Sequence, residues 1–220
     1  MMRLGLATVV TALALGSGCA ANSGWADAPI VAPSRSVERP AVAELPRPDA
    51  YIDALERWRR ETRLGIGGHV EGVLRDPALA AAEVSHQAAV DSLGKAATAD
   101  LLAHRWPVLF GPLGDRFPID LSWRFDEQFI SSRRVLDPVS WRFALETSEG
   151  LRLEPLAAAV LQAASTTRDG MWWGEVRLWF PWRHPDTRVP VLAGGARWAR
   201  LTLAHTSGTG ELSWRFRGAW

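Results

Sequence analysis

The sequence predicts a mainly β domain, an immunoglobulin-like β-sandwich of about seven strands, with an N-terminal helix and a helical insertion after the first strand. Three observations predict it. From residue 117 onward, short runs alternate apolar and polar residues, the period of strands with one buried face. Turn residues separate these runs at short intervals, as in antiparallel sandwiches. The tetrapeptide Ser-Trp-Arg-Phe also occurs three times, at 122–125, 140–143 and 213–216. Each copy offers a Trp and a Phe to one face of a sheet and an Arg to the other. The copies are unevenly spaced, which excludes a regular repeat array.

Taken in order, residues 19–48 are rich in Ala, Pro and Ser, with Pro29, Pro33, Pro40, Pro46 and Pro48. Such a stretch buries little apolar surface and is expected as a disordered linker. Asp49 then caps a helix over 49–62, in which Tyr51, Ile52, Leu55 and Trp58 share a face. Leu64, Ile66, Val70 and Leu74 share one parity, so 63–74 reads as a strand whose Gly68 and Gly72 mark a close backbone approach. Asp76-Pro77 restarts a helix, with an acidic N-cap and a proline where no N–H is needed. Helix continues through Ala-rich 78–93, breaks at Gly94 and resumes to Trp106-Pro107. The expected strands that follow centre on 117–125, 141–145, 151–153, 176–180, 198–204 and 211–217. The whole of 49–220 is expected to form a single sandwich domain.

Length and composition bound the function. A chain of 220 residues suits one domain plus a leader, and 47% apolar content suits a packed core. A net charge of +1 gives no electrostatic reason to expect nucleic acid. Cys19, the only cysteine, excludes an internal disulfide and a Cys-based metal site.

Cys19 carries a different message. Met1, Met2 and Arg3 form a positive start, and Leu4 to Leu15 is largely apolar but well short of the ~20 residues that span a bilayer. Gly16-Ser17-Gly18 then precede the cysteine. This is the layout of a signal peptide over 1–18, and it resembles the lipobox of bacterial lipoproteins, with Gly16 where that motif usually carries leucine. The resemblance implies lipid attachment at Cys19 and, with Ala20 after it in place of aspartate, an outer-membrane location. The rival is plain secretion with cleavage after Ala26-Asp27-Ala28, which puts Pro29 first and leaves the lone cysteine to chance. Beyond the anchor, the order of spacer, helix, strand, Pro-started helix and Trp-rich β domain resembles uncharacterised exported lipoproteins of proteobacteria and myxobacteria. That resemblance brings no known activity with it.

The search for chemistry yields little. His69, His86, His104, His184 and His205 lack the spacing of a compact metal site, so no metal is expected. No G-x-S-x-G elbow is present. Gly65-Ile66-Gly67-Gly68 is too short for a phosphate cradle and lacks its lysine, so no cofactor is expected. Asp126, Glu127, Glu146, Glu154 and Glu175 lie near strand ends, where a glycosidase pair would sit but where surface acids also sit in most β proteins. No catalytic residue is assigned, and the chain is read as no enzyme.

Tryptophan is the loud signal, with 12 in the chain. Trp172, Trp173, Trp179 and Trp182 cluster with Arg183, and Trp179 has opposite parity to Leu178 and Phe180. They are the expected binding patch, since exposed aromatics mark interaction sites. The competing reading packs these rings beneath the helices or against arginines. The resulting expectation is a non-catalytic envelope lipoprotein, tied to the membrane by its lipid, that binds an envelope protein or a glycan. A glycan-binding or glycan-cleaving module acting on peptidoglycan or polysaccharide is the alternative. So is a lipid carrier, which needs an apolar cavity beneath the 77–106 helices.

Overall fold

The computed structural model describes residues 30–65, 67–126, 137–166, 170–206 and 208–217. The expected signal, Cys19, Glu127 and the turn residue Ser207 lie outside them. The fold is mainly β, as expected, with two five-stranded sheets and three helices.

Its elements follow from local pattern. β1 (Ile30–Val31) precedes α1 (Ala50–Trp58), which gives way directly to β2 (Arg59–Leu64) and β3 (Gly68–Leu74). Helix therefore ends four residues short of the expected 62. Glu61 and Arg63 face solvent while Thr62 and Leu64 are buried, a period of two that strand pairing with β3 satisfies. The expected strand at 63–74 is accordingly a hairpin. Gly65 and Gly67 make its turn at φ +52° and +74°, a left-handed conformation that glycine adopts without penalty.

The helical insertion comes after this hairpin as α2 (Pro77–Val90) and α3 (Lys95–Phe110). Asp76 caps α2 by accepting from the Ala78 N–H at 2.8 Å. α3 continues one turn past Pro107, because buried Trp106, Leu109 and Phe110 pack that turn against Ala80, Ala81 and Val84.

Seven strands follow: β4 (Arg116–Asp126), β5 (Arg142–Thr147), β6 (Arg152–Leu153), β7 (Ala157–Thr166), β8 (Met171–Pro181), β9 (Trp198–His205) and β10 (Gly208–Phe216). A short 3-10 turn at Pro138–Ser140 leads into β5. One sheet runs β1-β10-β9-β5-β6 and the other β2-β3-β4-β8-β7. The described strands thus number ten, against about seven expected, with two of them only two residues long.

The sheets face each other across one core. Phe117, Ile119, Leu121, Trp123 and Phe125 of β4 are all essentially inaccessible, and they meet Phe143, Leu145, Leu201, Leu203, Leu212 and Trp214 of the other sheet. All six rings of the Ser-Trp-Arg-Phe copies are buried, with Trp123 and Trp141 centred 4.9 Å apart. Each buried ring stabilises by roughly 1.5–3 kcal/mol, and each ring pair by about 0.5–1.5 more. Gly72 is glycine because a Cβ there would collide with Leu212 of the opposite sheet.

Along one side the sandwich closes between β2 and β10. There Arg60 of β2 donates from Nε to the Ser213 carbonyl of β10 at 2.9 Å, and Gly210 sits under Leu64 and Thr62. Burial pulls the Arg60 pKa down to about 10. The opposite side is bounded by β7 and the β5–β6 pair, with no strand pairing across it among the described residues.

Residues 30–48, expected as linker, touch the fold at several points. Val31 accepts from the Arg217 N–H at 2.6 Å beside β10. Ser34 donates its N–H and its hydroxyl to the two carboxylate oxygens of Asp76, at 2.7 and 2.6 Å. The indole of Trp106 donates to the Val37 carbonyl, and the Ser85 hydroxyl to that of Pro46. Proline-rich composition lowers the chance of helix or sheet, yet single carbonyls and apolar side chains still dock.

Candidate functional site

On the side of the sandwich bounded by β7 and the β5–β6 pair, two strand edges have no strand partner among the described residues. β5 meets β6 only at Leu145–Leu153 and Glu146–Arg152. Arg142, Phe143 and Ala144 therefore have a neighbouring strand, β9, on one side alone among the described residues. In the facing sheet β7 is outermost and, among the described residues, its strand partner is β8, with the turn at Pro138–Ser140 beside it.

Between these edges lies a groove of about 710 Å³, within the ordinary range for ligand sites of roughly 300–1,000 Å³. Ala144, Thr202 and Ala204, on the face of their sheet that also bears Arg142 and Arg200, line it together with Pro138, Val139, Trp141 and Pro155. Ala157 and Ala158 bring the start of β7 to it. Trp141 is fixed by stacking on His205, the rings 4.8 Å apart.

Charge reaches the groove only at its rim. Arg152 is bound to Glu146 at 3.1 Å, and Glu146 also takes Arg200 at 2.9 Å. That pairing leaves Arg200 above its ordinary pKa, held there first by the hydrogen bond to Glu146. Arg142 and Glu154 are exposed and have no ion-pair partner among the described residues. The arrangement is suited to holding an extended, largely neutral ligand with polar ends. Among the described residues no group of three His, Asp or Glu side chains is placed to hold a metal ion.

β7 itself is unusual. Ala157–Thr166 contains no charged residue and no proline, and Val160 and Leu161 remain 53% and 44% exposed. Natural sheet edges carry charges, prolines or bulges that discourage further pairing. β7 lacks the first two but has the last, its register against β8 shifting between Val160 and Gln162 and again between Gln162 and Ser165.

The expected tryptophan patch is divided among different surroundings. Trp182 is in the core, edge-on to Phe117 with ring centres 6.2 Å apart. Trp179 is half-buried beneath α3; its indole donates to the Leu109 carbonyl at 3.0 Å, and Arg116 and Arg177 lie over its ring at 5.2 and 5.9 Å. Trp172 packs against the core from a half-buried position. Trp173 is half-buried on the outer face of β8, with its indole donating to the Ser122 hydroxyl at 3.1 Å. Arg183 is exposed in the loop that follows, donating to the Arg188 carbonyl at 2.9 Å.

Beneath the helices lies a second cavity, about 330 Å³, lined by Glu83, His104, Arg105, Val108, Leu109 and Arg177. Ion pairs surround it. Asp120 binds Arg177 at 2.6 Å and Arg75 at 2.9 Å, and Glu83 joins Arg75 at 2.8 Å and Arg105 at 3.3 Å. Burial alone would lower the Arg75 pKa, but the two carboxylates hold it above its ordinary value. This space is charged and small, unlike the apolar cavity an acyl chain needs.

The carboxylates expected at strand ends do not gather there. Glu146 is engaged by two arginines on one sheet, and Glu175 stands on the other. No family model matches the chain, and no curated protein or solved structure is significantly similar to it.

Sequence reading missed β7 and with it the groove. The one available signal was the absence of charge from Pro155 to Thr167, thirteen residues between Glu154 and Arg168.

Proposed function

We propose that this chain is a non-catalytic, lipid-anchored protein of the bacterial envelope that binds or scaffolds another envelope component through the groove beside β5 and β7. The observation that carries the reading is the groove itself, about 710 Å³ and lined by small and apolar residues beside two outer strands. Attachment to the outer membrane through Cys19 rests on the lipobox-like start. Among the described residues no helix is long and apolar enough to cross a membrane. The sandwich belongs with immunoglobulin-like architectures on this proposal, supported by its two facing, largely antiparallel sheets, although it has more strands than that pattern assumes.

A glycan is the second reading, favoured by Trp173. The ring lies directly across from exposed Arg124 and two residues from Glu175, on the part of the outer face bearing these polar side chains.

Two measurements test the proposal. Mass spectrometry of the mature N-terminus is expected to find an acylated Cys19, and Cys19→Ser to release the protein into the soluble fraction. A photo-cross-linking residue at position 204, inside the groove, is expected to give adducts in intact cells, whereas one at exposed position 113 gives none. Equal labelling from both positions would sink the groove as the binding site.

A further inference from the structure

The small cavity beneath the helices carries an imbalance of charge. Arg75, Arg105 and Arg177 stand in one ion-pair network with Glu83 and Asp120, so one positive charge has no counterpart there. We infer that this cavity, which is separate from the groove, is an anion site. It takes the oxyanion group of a small ligand, a phosphate or a carboxylate, on Arg105, Arg177 and His104.

Both carboxylates are already engaged. Asp120 accepts from Arg177 Nε and Nη2 at 2.6 and 2.8 Å and from Arg75 Nε at 2.9 Å. Glu83 accepts from Arg75 at 2.8 Å, and Arg105 approaches its other oxygen at 3.3 Å. The cations that line the cavity, in contrast, keep unused donors. Arg177 Nη1 makes no hydrogen bond among the described residues, and Arg105 has only its pairing with Glu83. His104 has no hydrogen-bond partner among them either. A guanidinium presents its N–H groups as a planar fork that matches an oxyanion, and a charged acceptor makes those bonds stronger. Asp100, one turn before His104 on α3, forms no ion pair among the described residues and lies outside the cavity lining.

The fold sets these groups in place before a ligand arrives. Arg177 is fixed from two directions, by its bonds to Asp120 and by the Trp179 ring, whose centre lies 5.9 Å from its guanidinium carbon. The Trp179 indole donates to the Leu109 carbonyl and so ties α3 to β8 beside the cavity. On α3, His104 lies one turn from Val108 and Arg105 one turn from Leu109, which brings all four to the same space. His104 and Val108 are exposed and form the mouth, whereas Arg105 and Arg177 are partly buried. An anion that enters past the first pair meets the second where water screens it less. At about 330 Å³ the space suits a small ligand.

The probe is inorganic phosphate, titrated at constant ionic strength into the full-length mature chain in detergent. The readout is the NMR signal of isotope-labelled His104, assigned through His104→Gln. A saturable shift is expected, and chloride should produce none. Arg105→Gln is expected to weaken binding by about tenfold or more through loss of a charge-assisted contact. Glu83→Gln is expected to tighten it several-fold, because it removes the carboxylate that faces the ligand while Arg75 keeps Asp120. A folding defect cannot raise affinity, so this gain separates the site from mere damage. Arg63→Gln, at an exposed position on β2, is expected to change nothing. Succinate and vesicles containing phosphatidylglycerol complete the set. Saturation by free phosphate or succinate marks a soluble ligand, and a response to the vesicles alone marks a lipid head group. No saturable shift with any of the three, a shift that chloride reproduces, or an affinity indifferent to both Arg105→Gln and Glu83→Gln overturns the inference.

Discussion

The closeness of the two sheets at Gly72 can be tested by a double-mutant cycle with Leu212. A Cβ at position 72 meets Leu212 Cδ1 head-on and lies 3.2 Å from Leu121 Cδ2. Leu212 is 1% exposed and cannot swing into solvent. Overpacking of this kind costs about 1–3 kcal/mol. Alanine also recovers roughly 0.5–1 kcal/mol relative to glycine within a strand, so Gly72→Ala should destabilise by about 0.5–2 kcal/mol overall. Leu212→Val removes one methylene, costing about 1 kcal/mol as burial and cavity together. In the double variant the shortened side chain leaves room for the new methyl. The intrinsic glycine effect cancels in the cycle, so the double variant should be more stable than the sum of the singles predicts by about 1 kcal/mol or more. Urea unfolding followed by tryptophan fluorescence reads this directly, provided the m-values agree. Additivity to within about 0.3–0.5 kcal/mol would show that the sheets are not in contact there.

Two further predictions concern how the outer layers are held. Asp120→Ala leaves Arg75 and Arg177, whose side chains are only 14% and 13% exposed, without their shared carboxylate, and should cost about 3–5 kcal/mol by calorimetry. Ser34→Ala should speed tryptic cleavage at Arg35, because the Asp76 contact that fixes this segment loses its hydroxyl donor. Burial raises the Asp76 pKa above its usual value and outweighs the hydrogen bonds from Ser34 and Ala78. A carboxyl raised in the folded state stabilises below its unfolded pKa and loses that contribution as pH rises through the folded one. The native chain should therefore gain stability relative to Asp76→Asn as pH falls from neutrality towards the unfolded pKa of 3.8. A difference that is flat or shrinks over that window contradicts the assignment.

What could be read from sequence divides along a physical line. Strand β4 was legible because Phe117, Ile119, Leu121, Trp123 and Phe125 alternate with polar residues, and one-sided burial leaves that imprint. The start of α2 was legible because a cap is a local contact, here between Asp76 and Ala78. The end of α1 was not, since pairing of Arg59–Leu64 with β3 overrides a helical pattern that runs on through Glu61. β7 was invisible for a further reason. Ala-Ala-Ala-Val-Leu-Gln-Ala-Ala-Ser-Thr has neither alternation nor β-branched density, and its strand form comes from being laid against β8. The groove joins 138–144, 152–158 and 202–204, segments distant in sequence that the pairing of β9, β5 and β6 in one sheet brings together beside the start of β7. The tryptophans misled as a single cluster because adjacent strand residues point to opposite faces: Trp172 packs against the core while Trp173 stands on the outer face beside Ser122.

The docked N-terminal segment changes what the proposed anchor implies. A free linker from Cys19 to residue 48 would let the domain range far from the membrane. With Ile30 and Val31 held beside β10 and Ser34 bound to Asp76, the free path shrinks to residues 20–29. Whatever route those ten residues take, they span at most about 36 Å, comparable to a bilayer's own thickness. A lipid on Cys19 therefore keeps this domain at the membrane surface, and any partner of the groove must be reachable there. An outer-membrane protein, or a soluble one recruited to that surface, satisfies the geometry; a component confined to the far side of the periplasm does not.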